Sequence, residues 1–146
     1  MKISTRGRYA LRLLVDLAQH QHQGYVSLKE ISDRQDISKK YLEQIVPMLT
    51  RSGLLHTNRG NRGGYMLAVP PEDCSVGAVL RATEGSLAPV SCLEFETNDC
   101  PRAGSCATLF IWEGLNRTVT AYLDGITLRD ILNHMGNGDA GIDYCI

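Results

Sequence analysis

Ser27-Leu28-Lys29-Glu30-Ile31-Ser32-Asp33-Arg34-Gln35-Asp36-Ile37-Ser38-Lys39-Lys40-Tyr41-Leu42-Glu43-Gln44-Ile45-Val46-Pro47-Met48-Leu49-Thr50-Arg51-Ser52-Gly53 is the stretch on which the fold turns. Ser27 followed three residues later by Glu30 is a capping box, which opens a short helix with Leu28 and Ile31 facing inward. Ser38 is a second N-cap candidate. The helix behind it puts Leu42, Ile45, Val46 and Leu49 on one face, and Gly53 is placed to stop it in a left-handed conformation. Two short helices joined by a tight turn at Gln35–Ile37 predict a helix-turn-helix. Pro47 lies inside the second helix and is expected to kink or shorten it, because proline removes a backbone donor.

Downstream, Leu54–Asn58 and Tyr65–Val69 read as two strands. Arg59-Gly60-Asn61-Arg62-Gly63-Gly64 joins them as a hairpin loop too rich in glycine for a helix. A helix-turn-helix followed by a hairpin is a winged helix, closed here by Pro70-Pro71. Upstream, Tyr9, Ala10, Leu13, Leu14, Leu17 and Ala18 recur with helical spacing.

Beyond the wing, a short helix is expected over about 75–84, then an irregular segment through Ser105. A longer helix is expected from about Ala107 to Leu123, with Ile111, Leu115, Val119 and Tyr122 as a stripe. Thr127 with Asp130 caps a last helix bearing Leu128, Ile131, Leu132 and Met135, and the tail from Gly136 is glycine-rich and expected to be flexible. The fold class is therefore mainly α with a small β-hairpin. It divides into a winged-helix unit (1–71), a connecting helix and cysteine loop (72–106), a long helix with its following helix (107–135) and a tail (136–146).

Charge follows this division. Residues 1–64 carry eleven Lys/Arg against five Asp/Glu, whereas the remainder carries four against eleven, under a net charge of only −1. A basic first half suits a polyanion, and the basic residues fall on the reading elements. Ser38, Lys39, Lys40, Tyr41, Glu43 and Gln44 stand at the start of the second helix, where a helix-turn-helix meets base edges. Lys39 and Lys40 suit phosphates, Gln44 suits adenine, and Glu43 could accept from cytosine N4. Arg59, Gly60 and Arg62 form a tip that suits a narrow minor groove. The competing reading is a winged helix used for protein contact, with a merely solvated basic face.

Five cysteines are an odd count, and Cys92, Cys100 and Cys106 form C-x7-C-x5-C in a segment without periodicity. Thiolates are soft ligands for iron–sulfur clusters or zinc, but the close pairs and four ligands of a rigid zinc site are missing. The alternative is three unligated thiols, buried or acting directly as a redox switch. Cys74 and Cys145 lie apart and read as bystanders. His20, His22, His56 and His134 are scattered, and no nucleophile elbow, phosphate loop or zinc-protease motif occurs, so the expectation is not an enzyme. No run approaches the roughly 18 to 20 apolar residues of a membrane span, and the N-terminus lacks a secretory signal, which predicts a cytoplasmic protein with no membrane partner.

Read together, Met1-Lys2-Ile3-Ser4-Thr5-Arg6-Gly7-Arg8-Tyr9-Ala10, the Ser38 and Tyr41-Leu42-Glu43-Gln44 group, and the wing Arg59-Gly60, Gly63-Gly64-Tyr65 and Leu67-Ala68 resemble the winged-helix iron–sulfur cluster regulators that include IscR, NsrR and CymR. The resemblance implies a homodimer paired through the long helix, bound to a double-stranded operator with half-sites about one helical turn apart. It implies a cluster, [2Fe–2S] by analogy with IscR, with Cys92, Cys100 and Cys106 as metal ligands. Two departures stand out. Leu109 occupies the position of the IscR-type histidine ligand, and Arg8 and Arg12 stand where some relatives take a ligand from the partner's first helix. The fourth ligand stays open among Glu94, Glu96, Asp99, a solvent species or a small thiol. The tail Asp143-Tyr144-Cys145-Ile146 supports an alternative, because in CymR-like members, which lack the cysteines, regulation passes through cysteine synthase.

Overall fold

The computed structural model describes residues 1–137. Its elements run α1 (Thr5–Gln19), α2 (Leu28–Gln35), α3 (Lys39–Arg51), β1 (Leu55–Asn58), β2 (Gly64–Leu67), α4 (Val76–Glu84), α5 (Leu109–Asp124) and α6 (Leu128–Asn137). The fold is mainly helical with one antiparallel hairpin, as the sequence pattern predicts.

Each reading helix begins where a local signal demands it. Ser27 accepts from the Glu30 amide while Glu30 takes the Ser27 amide at 2.9 Å, so two orphan donors of α2 are satisfied reciprocally. The Ser27 amide and hydroxyl, both donating to the Glu30 carboxylate, also hold it below its ordinary value. The turn runs through Asp36 at φ 53°, and Ser38 caps α3 by accepting from the Tyr41 amide. At the far end Gly53, at φ 73°, forms a Schellman stop. Its amide donates to Thr50 and the Leu54 amide donates to Leu49 at 3.0 Å.

α1 is the spine. Ala10, Leu13, Leu14 and Leu17 are buried against Ile31, Leu42, Ile45 and Leu49, and α4 and α6 pack on the same helix. Burying each such leucine is worth about 1.5–3 kcal/mol relative to leaving it exposed. The wing is tied to this core through an isolated bridge. Val26 and Tyr65 exchange both backbone hydrogen bonds at 2.9 and 2.8 Å, which fixes β2 beside the segment entering α2. A second bridge, Ser75 with Thr127, joins the starts of α4 and α6.

Several expectations need correction. Pro47 neither shortens nor breaks α3, which continues to Arg51. Pro47 and Glu43 both face solvent, so the carbonyl deprived of its partner lies on the wet side of the helix. α5 begins at Leu109 rather than Ala107, and α6 runs through Asn137, so residues 136 and 137 belong to a helix and not to the tail. Residues 138–146, including Cys145 and the C-terminal Asp143–Ile146, lie outside the described residues. The stripe on α5 is apolar, yet no residue of that helix is buried.

Candidate nucleic-acid interface and cysteine segment

The first turn of α3 projects Lys39, Lys40, Glu43 and Gln44 into solvent. Across from them the wing tip presents Arg59, Gly60 and Arg62, all exposed, with Gly60 at φ 112°. Between helix and wing lies a groove of about 590 Å³ lined by Lys39, Glu43, Pro47 and Arg51 on one side and by Asn58, Arg59 and Gly60 on the other. The fold thus brings Lys39, Glu43, Arg59 and Gly60 together. Lys40, Gln44 and Arg62 are exposed on the same two elements but do not line the groove.

Two residues differ from expectation. Tyr41 is half-buried, and its ring meets Tyr9 of α1 edge-on at 5.4 Å between centroids, so it is tied to the scaffold rather than free over the surface. Arg51 was missed. It lies on the same face as Glu43 and Pro47 at i+4 spacing, a signal present in the sequence once Pro47 is allowed inside the helix.

Between α4 and α5 the chain makes two short turns, Ser91–Leu93 and Ala103–Ser105. Cys92 and Cys100 are half-buried and line one pocket of about 370 Å³ with Phe95, Thr97 and Asp99. Cys106 is outside it, exposed just before α5. A hydrogen bond with the Thr108 hydroxyl at 3.6 Å holds its thiol below the ordinary value. Among the described residues no three Cys, His, Asp or Glu side chains converge as a metal site. The donor chemistry suits a soft metal, but this arrangement gathers only two of the three thiols. Cys74 is wholly buried, and burial pushes its thiol up to about 11, which makes it a core residue rather than a ligand.

A capped helix-turn-helix, a docked wing and a basic groove shared between them define the class of a winged-helix DNA-binding transcription regulator. Comparison with known proteins gives the family. A family model described as an iron-dependent transcriptional regulator, Rrf2, matches residues 3–134, and the chain belongs to that family. It is 42% identical over 132 residues to protein rrf2 of Nitratidesulfovibrio vulgaris, covering 90% of this chain and 87% of that one. Among solved structures it is similar to CymR, the global cysteine regulator of B. subtilis (TM-score 0.74, 34% identity, 92% and 98% of the chains covered). It is also similar in fold to T. potens IscR (TM-score 0.72, 35% identity, 99% and 94% covered).

Proposed function

We propose that the chain is a cytoplasmic, homodimeric operator-binding regulator that senses through an iron–sulfur cluster on Cys92, Cys100 and Cys106. The observation that carries the DNA half is the groove in which α3 and the wing face each other with cations on both walls. In this reading the first turn of α3 enters the major groove. Gln44 and Glu43 meet base edges while Lys39 and Lys40 hold phosphates. Arg59 and Arg62 reach the neighbouring minor groove from a tip whose glycine admits the backbone closely.

Gln44→Ala and Arg59→Ala are expected to differ in kind. The first should relax sequence preference by roughly 1–3 kcal/mol at one base position, on the scale of a lost bidentate contact. The second should weaken binding and also lower the slope of log K against log salt by about one if Arg59 touches a phosphate. Fluorescence anisotropy over a salt series checks both. Wild-type binding by both variants would remove these residues from the site.

The sensing half rests on the three thiols standing on one segment between the DNA-binding unit and α5, and on the family's iron-dependent character. Bound, the cluster would supply a soft centre that can be lost or altered by oxidants. Cys92 and Cys100 already share a pocket, and Asp99 lies on its wall. Anaerobic purification with iron and sulfide analysis tests this. Visible absorption and acid-labile sulfide are expected in the wild type, and both should vanish when the three cysteines are changed to alanine.

A second reading draws on the likeness to CymR, which extends over nearly all of that chain. In it the tail ending in Ile146 binds cysteine synthase and the thiols carry no cluster. A colourless, iron-free protein whose tail peptide is captured by cysteine synthase would favour this reading. A tail peptide that fails to bind would remove it.

A further inference from the structure

In the apolar stripe of α1 one position is charged. Asp16 is 1% exposed among the leucines, and its carboxylate accepts from Arg34 through Nη2 at 2.7 Å and Nε at 3.0 Å. Gln35 Nε2 donates to the same carboxylate at 2.9 Å, and the His20 ring lies 3.7 Å away. For stability alone such a pair is a poor investment, because desolvation of the charges offsets most of their attraction and a leucine would serve as well. What a two-pronged ion pair does supply is direction, since the planar guanidinium fork fits a carboxylate in few orientations.

That direction is imposed at a telling place. Arg34 and Gln35 are the last two residues of α2, next to the left-handed Asp36 that sets the angle into α3. One turn earlier on α1, Arg12 donates through Nη2 to the Gln35 carbonyl and through Nε to the Gln35 side chain at 3.4 Å. The same guanidinium lies 5.4 Å from the centre of the Tyr9 ring, and Tyr9 meets Tyr41 in the first turn of α3. Side chains of α1 therefore grip the end of α2 and the start of α3, the two banks of the reading turn.

Building on the DNA-binding reading, we infer that Asp16 and Arg12 are positioning residues for operator recognition, fixing the angle at which α3 presents its first turn. Phosphate contacts are long-range and tolerate a small tilt, whereas hydrogen bonds to base edges do not. Loss of the clamp should therefore damage discrimination between sequences more than attraction to DNA.

The test uses the full-length protein, Asp16→Asn and Arg12→Gln. The probes are a duplex selected by the wild type from a randomised pool and a scrambled duplex of equal length and composition. Affinities are measured across a salt series, with thermal unfolding alongside. In each variant the ratio of selected to scrambled affinity is expected to fall about tenfold, the scale of one mis-seated base contact, with the scrambled affinity and the salt slope retained. A purely structural role would lower the melting temperature and leave that ratio unchanged. Should Asp16→Asn not fold, Arg12→Gln decides, because Arg12 is exposed and outside the core. An unchanged ratio in Arg12→Gln overturns the inference, as does a salt slope reduced by about one, which would make Arg12 a phosphate contact. A wild type that does not discriminate the two duplexes would instead overturn the DNA-reading assignment on which the inference rests.

Discussion

Ile111→Glu combined with Leu115→Glu is expected to yield a folded monomer whose operator affinity is lower by about 10²–10⁴, the range by which linking two binding modules raises avidity. The reason lies in the state of α5. Phe110, Ile111, Leu115 and Tyr122 are 69, 45, 43 and 68% exposed, and no residue of the helix is buried by the rest of the chain. An exposed apolar face of this kind marks an interaction surface, and in the homodimer proposed above a symmetric pairing of this face with its own copy would cover it. Two recognition helices would then act on one duplex, and the second half-site would bind as an intramolecular event. The substitutions place charges where that pairing would bury them, but they touch none of the core residues around α1. Light scattering checks the mass, and anisotropy on full-site and half-site duplexes checks the binding. The expected signature is an intact half-site affinity beside a collapsed full-site affinity. A variant that remains dimeric, or a wild type that is itself monomeric, would refute the assignment of this face.

The features legible in the sequence were those with local causes. Ser27 with Glu30, Ser38 ahead of Tyr41, Gly53 after the last apolar position and Thr127 with Asp130 all act within about one helical turn, so their spacing announces the element they cap. What depended on distant partners was not legible. Asp16 sits in a helical stripe like any polar interruption, and only the fold brings Arg34 to it. Tyr41 has the look of a surface residue until α1 places Tyr9 against it. Pro47 argues against a continuous helix unless one knows which side faces water. The α5 stripe was visible as periodicity, but periodicity does not distinguish a core face from an interface. The cysteine spacing gave three candidate ligands on one segment, whereas side-chain placement pairs only Cys92 with Cys100.

Gly64 shows the same limit from the side of backbone, and its replacement carries the other large expected effect. In the sequence Gly63-Gly64 reads as the flexible end of a hairpin loop. In the fold Gly64 is a buried strand residue facing the backbone of Val26. A Cβ there would collide with the Val26 carbonyl oxygen and lie 2.6 Å from its carbon and 3.0 Å from its nitrogen. These are backbone atoms, so no side-chain rotation relieves the clash. Gly64→Ala must push β2 away from the segment entering α2, which breaks the reciprocal Val26–Tyr65 hydrogen bonds. Two such bonds at about 1 kcal/mol each, with about 1–3 kcal/mol for the steric conflict, give a loss of roughly 3–5 kcal/mol. On the usual scale for a chain of this length that is a fall in melting temperature of roughly 10–16 °C. Operator affinity should fall with it, because Arg59 and Arg62 ride on the displaced wing. Gly60→Ala is the natural control. At φ 112° it strains the tip, but nothing lies within 4 Å of the added carbon, so the wing stays docked. Thermal unfolding and operator binding of the two variants separate the effects. If Gly64→Ala melts no earlier than Gly60→Ala, the wing is not held by the Val26 contact, and the rigid groove between α3 and the wing loses its physical basis.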